Sequence, residues 1–401
     1  MKHVGLDSPR LPRGAAAGLF CAVAVLGLSL VACERSKSAS AVASSSSASA
    51  AGSRSCVAQL TGLGTYTCAL LASGQARCWG LRVPVSDKYL NVEPLTLQGY
   101  PQKLSRLFAN FYTLCATAAD GSLWCGGGSS QGQLTHLRTD APTKQPQLQP
   151  FRDVLYMTQA GRCLLTQTEL RCWEHRQEPR PVTGLPAKPI QLVGDHEYAC
   201  VLLENGQVFC RGANLRGELG ILRGATEEER INSRIYKYVQ FTRVSGLGDD
   251  TRLIASNSGH SCALKRDGSV WCWGQNDRGQ VGKGDVSKCI DEGRKHFLLS
   301  NCTPEEGLEP SRVEGLPSDI SKLSLGQNTS CAIDARGGAW CWGFVDAPTP
   351  KPIKLNVGAP VESVTVGENF CALLRDGQVR CQAEQPLSDW SRARTISLGC
   401  D

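Results

Sequence analysis

After residue 55 the chain is built from short apolar runs separated by compact polar turns, and one such unit recurs seven times. The copies are CALLASGQARCWG from Cys68, CATAADGSLWCGG from Cys115, CLLTQTELRCWE from Cys163, CVLLENGQVFCRG from Cys200, CALKRDGSVWCWG from Cys262, CAIDARGGAWCWG from Cys331 and CALLRDGQVRCQA from Cys371. Asp120-Gly121, Asn205-Gly206, Asp267-Gly268 and Asp376-Gly377 sit at the centre of their units between two apolar strands, the pattern of a β-hairpin. A further strand running into a glycine turn precedes the hairpins, as in TRLIASNSGHS before Cys262, ISKLSLGQNTS before Cys331, VESVTVGENF before Cys371 and PIQLVGDHEYA before Cys200. Corners such as Ser245-Gly246-Leu247 and Glu314-Gly315-Leu316-Pro317 open several units. Three or four strands per copy, seven copies and about 50 residues per copy predict an all-β, seven-bladed β-propeller over residues 56–401.

Composition changes this picture through the cysteines. The chain has 20 of them, far more than a reducing compartment hosts without metal binding or redox chemistry, and it lacks the tight Cys-x2-Cys clusters of metal sites. The hairpin cysteines fall in seven pairs: Cys68 with Cys78, Cys115 with Cys125, Cys163 with Cys172, Cys200 with Cys210, Cys262 with Cys272, Cys331 with Cys341 and Cys371 with Cys381. A three-residue turn with glycine in the left-handed region places the two cysteines opposite each other, roughly 4.5 Å apart at Cα in a non-hydrogen-bonded pair, close enough to bridge. Seven hairpin disulfides are therefore expected. The unit of Cys163 and Cys172 is one residue shorter and lacks the glycine, so its turn must differ.

The N-terminus reads MKHVGLDSPRLPRG followed by an apolar run from Ala15 to Ala32, the layout of a secretory signal. Leu30-Val31-Ala32-Cys33 resembles the lipobox of bacterial lipoproteins, which implies cleavage before Cys33 and acylation of its thiol. An ordinary signal peptide, or an uncleaved spanning helix with Cys33 as a bystander, is the alternative. The run is short for a helix that crosses a bilayer in about 20 residues. The expected organisation is a signal peptide over 1–32, a Ser/Ala-rich tether over 33–55 and the propeller beyond it. Such a protein sits in the cell envelope, anchored by lipid and most simply at the outer membrane, facing the periplasm or the exterior. Without Cys21 and Cys33, 18 cysteines remain, and the hairpins use 14 of them. Cys289 and Cys302 share one insertion and can close their own loop. Cys56 and Cys400 can then join the two ends of the domain, the alternative being that one is free or bridges another chain. The C-terminal RTISLGC resembles the strand that opens each repeat.

The unit from Gly259 to Gly284, GHSCALKRDGSVWCWGQNDRGQVGKG, resembles the repeat of the regulator of chromosome condensation family. The match rests on His260, Ser261, Ala263, Leu264, Asp267, Gly268, Trp273, Gly274, Asn276, Gly279, Gln280 and Gly282, with Val281 in place of Leu. The resemblance implies a seven-bladed propeller. Extended tails resembling Gly-Gln-Leu-Gly follow only the units at Cys115, Cys200 and Cys262, as in Gly132-Gln133-Leu134 and Gly217-Glu218-Leu219-Gly220. The paired cysteines resemble a secreted bacterial branch of the family, so nucleotide exchange is not carried over.

Chemistry is sparse. The six histidines are scattered over different repeat positions, except His260 in the repeat motif, and none has the spacing of a metal site. Nucleophile elbows, phosphate loops and calcium loops are absent, so neither an enzyme nor a cofactor is expected. The net charge of +6, about +4 without the leader, is too mild and scattered for nucleic acid. Trp79, Trp173, Trp273 and Trp342 recur after the second cysteine and are expected in the core. Two insertions, Ile221 to Gln240 and Lys283 to Pro310, follow the same point of neighbouring repeats and should emerge on one face. Arg234, Tyr236, Tyr238, Arg294 and Phe297 within them have the aromatic-plus-arginine character of contact surfaces. The expected role is a monomeric, non-catalytic scaffold that binds a protein or glycan partner, with an envelope spacer or an unrecognised envelope enzyme as alternatives.

Overall fold

Each recurring hairpin becomes the middle of a four-stranded antiparallel meander, and seven such sheets follow one another along the chain. The computed structural model describes residues 56–399 apart from 64, 82, 84–89, 110–112, 128–142, 159–161, 174–177, 196–197, 215, 222–238, 285, 287–308, 368–369 and 383–386. These residues belong to the second of the chain's two units, Gly52–Asp401. Blades 1 to 7 occupy residues 57–96, 104–152, 154–181, 189–243, 251–312, 320–354 and 361–396. The first strands of the blades are Val57–Leu63, Leu104–Ala109, Val154–Met157, Pro189–Gly194, Thr251–Asn257, Ile320–Leu325 and Val361–Val366. Each packs beside the first strand of the next blade, and the last packs beside the first, so they form a closed ring. Among the described residues there is no α-helix.

Every blade is contiguous in sequence, which corrects one expectation. Arg394–Ile396 of the C-terminal RTISLGC is not an opening strand: it is the outermost strand of blade 7, antiparallel to Val379–Gln382. The ring is therefore joined by packing between blades 7 and 1 and not by a shared sheet. Val57, Ala69, Leu71 and Trp79 of blade 1 meet Cys371, Leu373, Val379 and Leu398 there. Cys56 lies against this cluster and is disulfide-bonded.

All seven hairpin disulfides are present as expected. Cys68 is bonded to Cys78, Cys115 to Cys125, Cys163 to Cys172, Cys200 to Cys210, Cys262 to Cys272, Cys331 to Cys341 and Cys371 to Cys381. Their opposed Cα atoms are 4.1 Å apart, slightly closer than the spacing anticipated for a directly opposed pair. Six hairpins have the expected glycine turn. In blade 7, for example, Leu374 N–H donates to Gln378 O across Arg375-Asp376-Gly377. In blade 3 Thr166 N–H donates to Glu169 O instead, so the shorter unit closes with two turn residues and keeps the same cysteine pairing.

Strand alternation then assigns the motif residues to opposite faces. The disulfide of each blade faces the next blade, and the residue after that next blade's first cysteine faces back. Cys68 and Cys78 pack with Ala116, Cys200 and Cys210 with Ala263, Cys262 and Cys272 with Ala332, Cys331 and Cys341 with Ala372. Cys115 and Cys125 meet Leu164 of blade 3 in the same way, and Cys163 and Cys172 meet Val201 of blade 4. At the closure Cys371 and Cys381 lie in one cluster with Ala69 of blade 1, although Cys381, unlike the other second cysteines, is only partly buried. The four recurrent tryptophans also face back onto the preceding blade and are buried, as expected. Two-sided packing explains why second strands such as Tyr66–Leu71, Thr113–Ala118 and Tyr198–Leu203 are buried at every residue. Polar clamps reinforce the ring: the Gln59 amide both donates to Leu107 O and accepts from Leu107 N–H, and Gln191 does the same with Ile254.

The hairpin turns abut the backbone entering the next blade. At Gly268 φ is +83°, and a Cβ there would lie 1.8 Å from Ser318 O, whereas Gly184 has the same φ with nothing within 4 Å. Gly268→Ala should therefore cost more than about 2 kcal/mol, and Gly184→Ala only about 1 kcal/mol, the left-handed penalty alone. Urea unfolding of the two variants measures the difference, and equal losses would contradict the close-contact account.

Candidate functional site

Alternating antiparallel strands put the first-to-second and third-to-fourth strand connections of every blade on one face of the ring. Both insertions are third-to-fourth connections, so the expectation that they share a face agrees with the topology. Arg234, Tyr236, Tyr238, Arg294 and Phe297 lie outside the described residues, as do Cys33, Cys289, Cys302 and Cys400. What is described is how the insertions are launched.

Before the first insertion, Asn214 Oδ1 accepts from Leu219 N–H at 3.0 Å, and Glu218 Oε2 accepts from Arg216 N–H at 2.7 Å. Before the second, Asn276 Oδ1 accepts from Val281 N–H at 3.0 Å, and Gln280 Oε1 accepts from Arg278 N–H at 2.8 Å. Asn276 also donates to Lys283 O, and Gln280 donates to Asp277. The two loops are thus the same object built twice. Each is then clasped by the following blade: Trp273 Nε1 donates to Glu218 O at 3.0 Å, and Trp342 Nε1 donates to Gln280 O at 2.9 Å. Ser330 Oγ donates to Gln280 O as well. Among the described residues the buried indole N–H groups of Trp79 and Trp173 meet no hydrogen-bond acceptor.

The repeat histidine serves the same assembly. His260 is fully buried, and its Nε2 meets Ser330 Oγ of blade 6 at 2.9 Å. Tyr198 of blade 4 donates to His260 O and receives from Ser261 Oγ. Burial drives the His260 pKa down to about 3, so the ring is neutral at ordinary pH. The shifted carboxylates are structural too: Asp120 and Asp267 are lowered by the Ser122 and Ser269 hydrogen bonds that shape their turns. Among the described residues no three His, Cys, Asp or Glu side chains are grouped to hold a metal.

On the opposite face a groove of about 820 Å³ runs along blade 6, between its hairpin turn and the connections on either side. Trp340 lines it with Lys354 Nζ 5.6 Å from the ring centre, while its N–H donates to Asp334 at 3.0 Å. Burial opposes ionisation of Asp334, but donors from Trp340, Gly338 and Arg336 outweigh it and lower its pKa. Its lining holds neither histidine nor cysteine, and its buried carboxylate is engaged, so the groove offers contact area without an acid-base pair. The sequence reading missed this groove, because it arises from connections whose approach no periodicity records.

These clasps explain why asparagine, glycine, glutamine and tryptophan recur together, and two matches to the regulator of chromosome condensation repeat cover residues 252–280 and 267–333. The chain carries regulator of chromosome condensation repeats. Protein pim1 of Schizosaccharomyces pombe is 24% identical over 327 residues, 71% of this chain and 58% of that protein. The probable E3 ubiquitin-protein ligase HERC6 of Homo sapiens is 28% identical over 221 residues, 50% of this chain and 19% of that protein. The chain thus spans from a fifth to under three fifths of these relatives. The solved structure of yeast RCC1 (Prp20) bound to Kap60 aligns at 20% identity and a TM-score of 0.45, covering 81% of this chain and 69% of that one. In the present chain the repeat residues hold blade to blade, with His260, Trp273, Gln280 and Trp342 all spent on those interfaces.

A folded pKa below the unfolded value of about 6.5 means that, between about 6.5 and 3, the unfolded chain binds a proton at His260 that the folded chain refuses. Stability should fall with acidification across that window by up to about 1.4 kcal/mol per pH unit. His260→Gln should flatten this limb, measured by urea unfolding from pH 7 to pH 4. An unchanged slope would show that His260 is not the group responsible.

Proposed function

We propose that this propeller is an exported, lipid-anchored, non-catalytic scaffold of a bacterial cell envelope that binds a protein partner through the face carrying its two insertions. The observation that carries the binding reading is the pair of equivalent clasped loops on blades 4 and 5. They project two long connections from fixed, adjacent points, and rigidly launched loops are where recognition concentrates. Arg234, Tyr236, Tyr238, Arg294 and Phe297 are the contact residues in this reading, and a glycan is the other ligand class that their aromatic and arginine side chains suit. The seven hairpin disulfides support an oxidising compartment.

In the same reading residues 1–32 are the leader, Cys33 carries the acyl chains and 33–55 tether the domain. It acts as a monomer without cofactor or nucleic acid, at the outer membrane and facing the periplasm or the exterior. Cys289 pairs with Cys302. Cys56 pairs with Cys400, a pairing supported by Leu398, which packs in the same cluster as Cys56.

Cys33→Ser should move the protein from the membrane to the soluble envelope fraction, and mass spectrometry of the wild-type N-terminal peptide should find a diacylglyceryl Cys33. Replacing 222–238 and 287–308 by short Gly-Ser linkers should leave the melting temperature within a few degrees while abolishing recovery of a partner cross-linked in intact cells. An unmodified leader would sink the anchoring reading. Full partner recovery without the insertions would sink the binding face.

A further inference from the structure

Blades 1, 3, 4, 5 and 6 each lead to the next blade through a corner in which a left-handed glycine is followed by a side chain set on the core. The corners are Gly99-Tyr100, Gly184-Leu185, Gly246-Leu247, Gly315-Leu316 and Gly358-Ala359, with φ between +66° and +88° at the glycine. Tyr100, Leu185, Leu247 and Leu316 pack against the clusters beneath them. Blade 6 offers only the methyl group of Ala359 at this position. Its connection is also cut short after the corner: Pro360 runs directly into Val361, whereas Ser318 and Asp319 separate Pro317 from Ile320. The groove of about 820 Å³ beside Trp340 opens at this corner, with Ala359 in its wall, and its size is that of a small-molecule site, roughly 300–1,000 Å³.

The walls are fixed in advance. Leu355 N–H donates to Ala339 O and Val361 N–H donates to Gly337 O, both at 2.8 Å, and Arg380 donates to Val357 O. Asp334 is fully engaged, with Oδ1 accepting from the Arg336 and Gly338 amides and Oδ2 from Trp340 Nε1, so the indole ring is held by its edge. The remaining polar side chains of the groove are not engaged in this way. Asp319, Arg336, Lys354 and Asn356 are exposed, and among the described residues none of them has a side-chain hydrogen bond or an ion pair. Lys354 only reaches over the Trp340 ring, its Nζ 5.6 Å from the centre, near the outer limit of a cation–π contact.

We infer that this groove is a binding site for a neutral saccharide. A pyranose ring carries hydroxyl groups, each both donor and acceptor, around an apolar C–H face. Trp340 supplies the flat apolar wall for that face, Arg336 and Lys354 donate, Asp319 accepts and Asn356 does both. The two cations and two carboxylates of the lining cancel, so the groove has no net charge to attract a polyanion or a polycation. A peptide is a poorer occupant. Trp340 is the groove's one aromatic ring, and three of the seven residues of the adjoining outer strand, Pro348–Lys354, are prolines with no amide to offer an extended backbone. The site lies on the face opposite the insertions, so it goes beyond the partner-binding reading and stands or falls without it.

The test titrates the purified protein with cellotriose, maltotriose and chitotriose, read by saturation-transfer NMR and calorimetry. At least one of the three should bind with roughly millimolar affinity. Ala359→Leu, which gives blade 6 the corner of blades 3, 4 and 5, should fill the groove and weaken that binding by about tenfold or more while the protein stays folded. Arg336→Gln and Asn356→Ala, at exposed positions, should each weaken it roughly three- to tenfold. If Ala359→Leu fails to fold, these two variants decide. No binding of any trisaccharide at about 20 mM, or undiminished binding by the folded variants, would overturn the inference. So would tighter binding of trigalacturonate than of the neutral sugars, which would make this an anion site, or equal binding of an acetylated and amidated Gly-Ser-Thr-Gly peptide. Deleting 222–238 and 287–308 should leave the saccharide affinity unchanged, which keeps this site separable from the partner-binding face.

Discussion

Everything in this propeller depends on one repeated contact, a disulfide packed against the apolar side chain that follows the first cysteine of the next blade, alanine in five of the seven cases. A hairpin with both faces buried cannot use the polar-out, apolar-in alternation of an ordinary antiparallel sheet, so both faces must be filled tightly. The Cys-Ala dipeptide divides that task within two residues. Cysteine projects forward and bridges its own hairpin, and alanine projects back to admit the bridge of the blade before. Where a tryptophan follows the second cysteine, it covers the same bridge from the neighbouring strand. A bridge that holds each hairpin is thus also the packing surface between blades, and the ring closes by the same contact that propagates it, with the bridge of Cys371 and Cys381 set against Ala69 and Trp79.

This arrangement explains how short, irregular blades are tolerated. Blade 3 has strands of only two to four residues and a two-residue turn, yet Cys163 and Cys172 still present their bridge to Val201. The longer tails of blades 4 and 5 add a polar layer, in which a side-chain amide or carboxylate fastens a loop and the next blade's indole grips its carbonyl. Rigidity is therefore concentrated where the insertions begin. His260 is committed to the contact between blades 5 and 6, and Asp120 and Asp267 to their own turns.

The two faces and the rim of the ring have different characters. One face carries the insertions on fastened loops. The other is formed by glycine turns held against the incoming backbone and by the groove beside Trp340. The rim is a row of sheet edges.

The sequence by itself determined the repeat, the number of blades, the hairpin bridges and the burial of the recurrent tryptophans. Those follow from local spacing: two cysteines flanking a glycine turn are opposed by hairpin geometry alone, whatever surrounds them. The odd turn at Cys163 was legible for the same reason. What only the tertiary structure decided depends on which strand lies beside which. RTISLGC has the composition of an opening strand, yet its pairing with Val379–Gln382 makes it a closing one. Gln59 and Gln191 find their partners in the neighbouring blade's backbone, which no local spacing records.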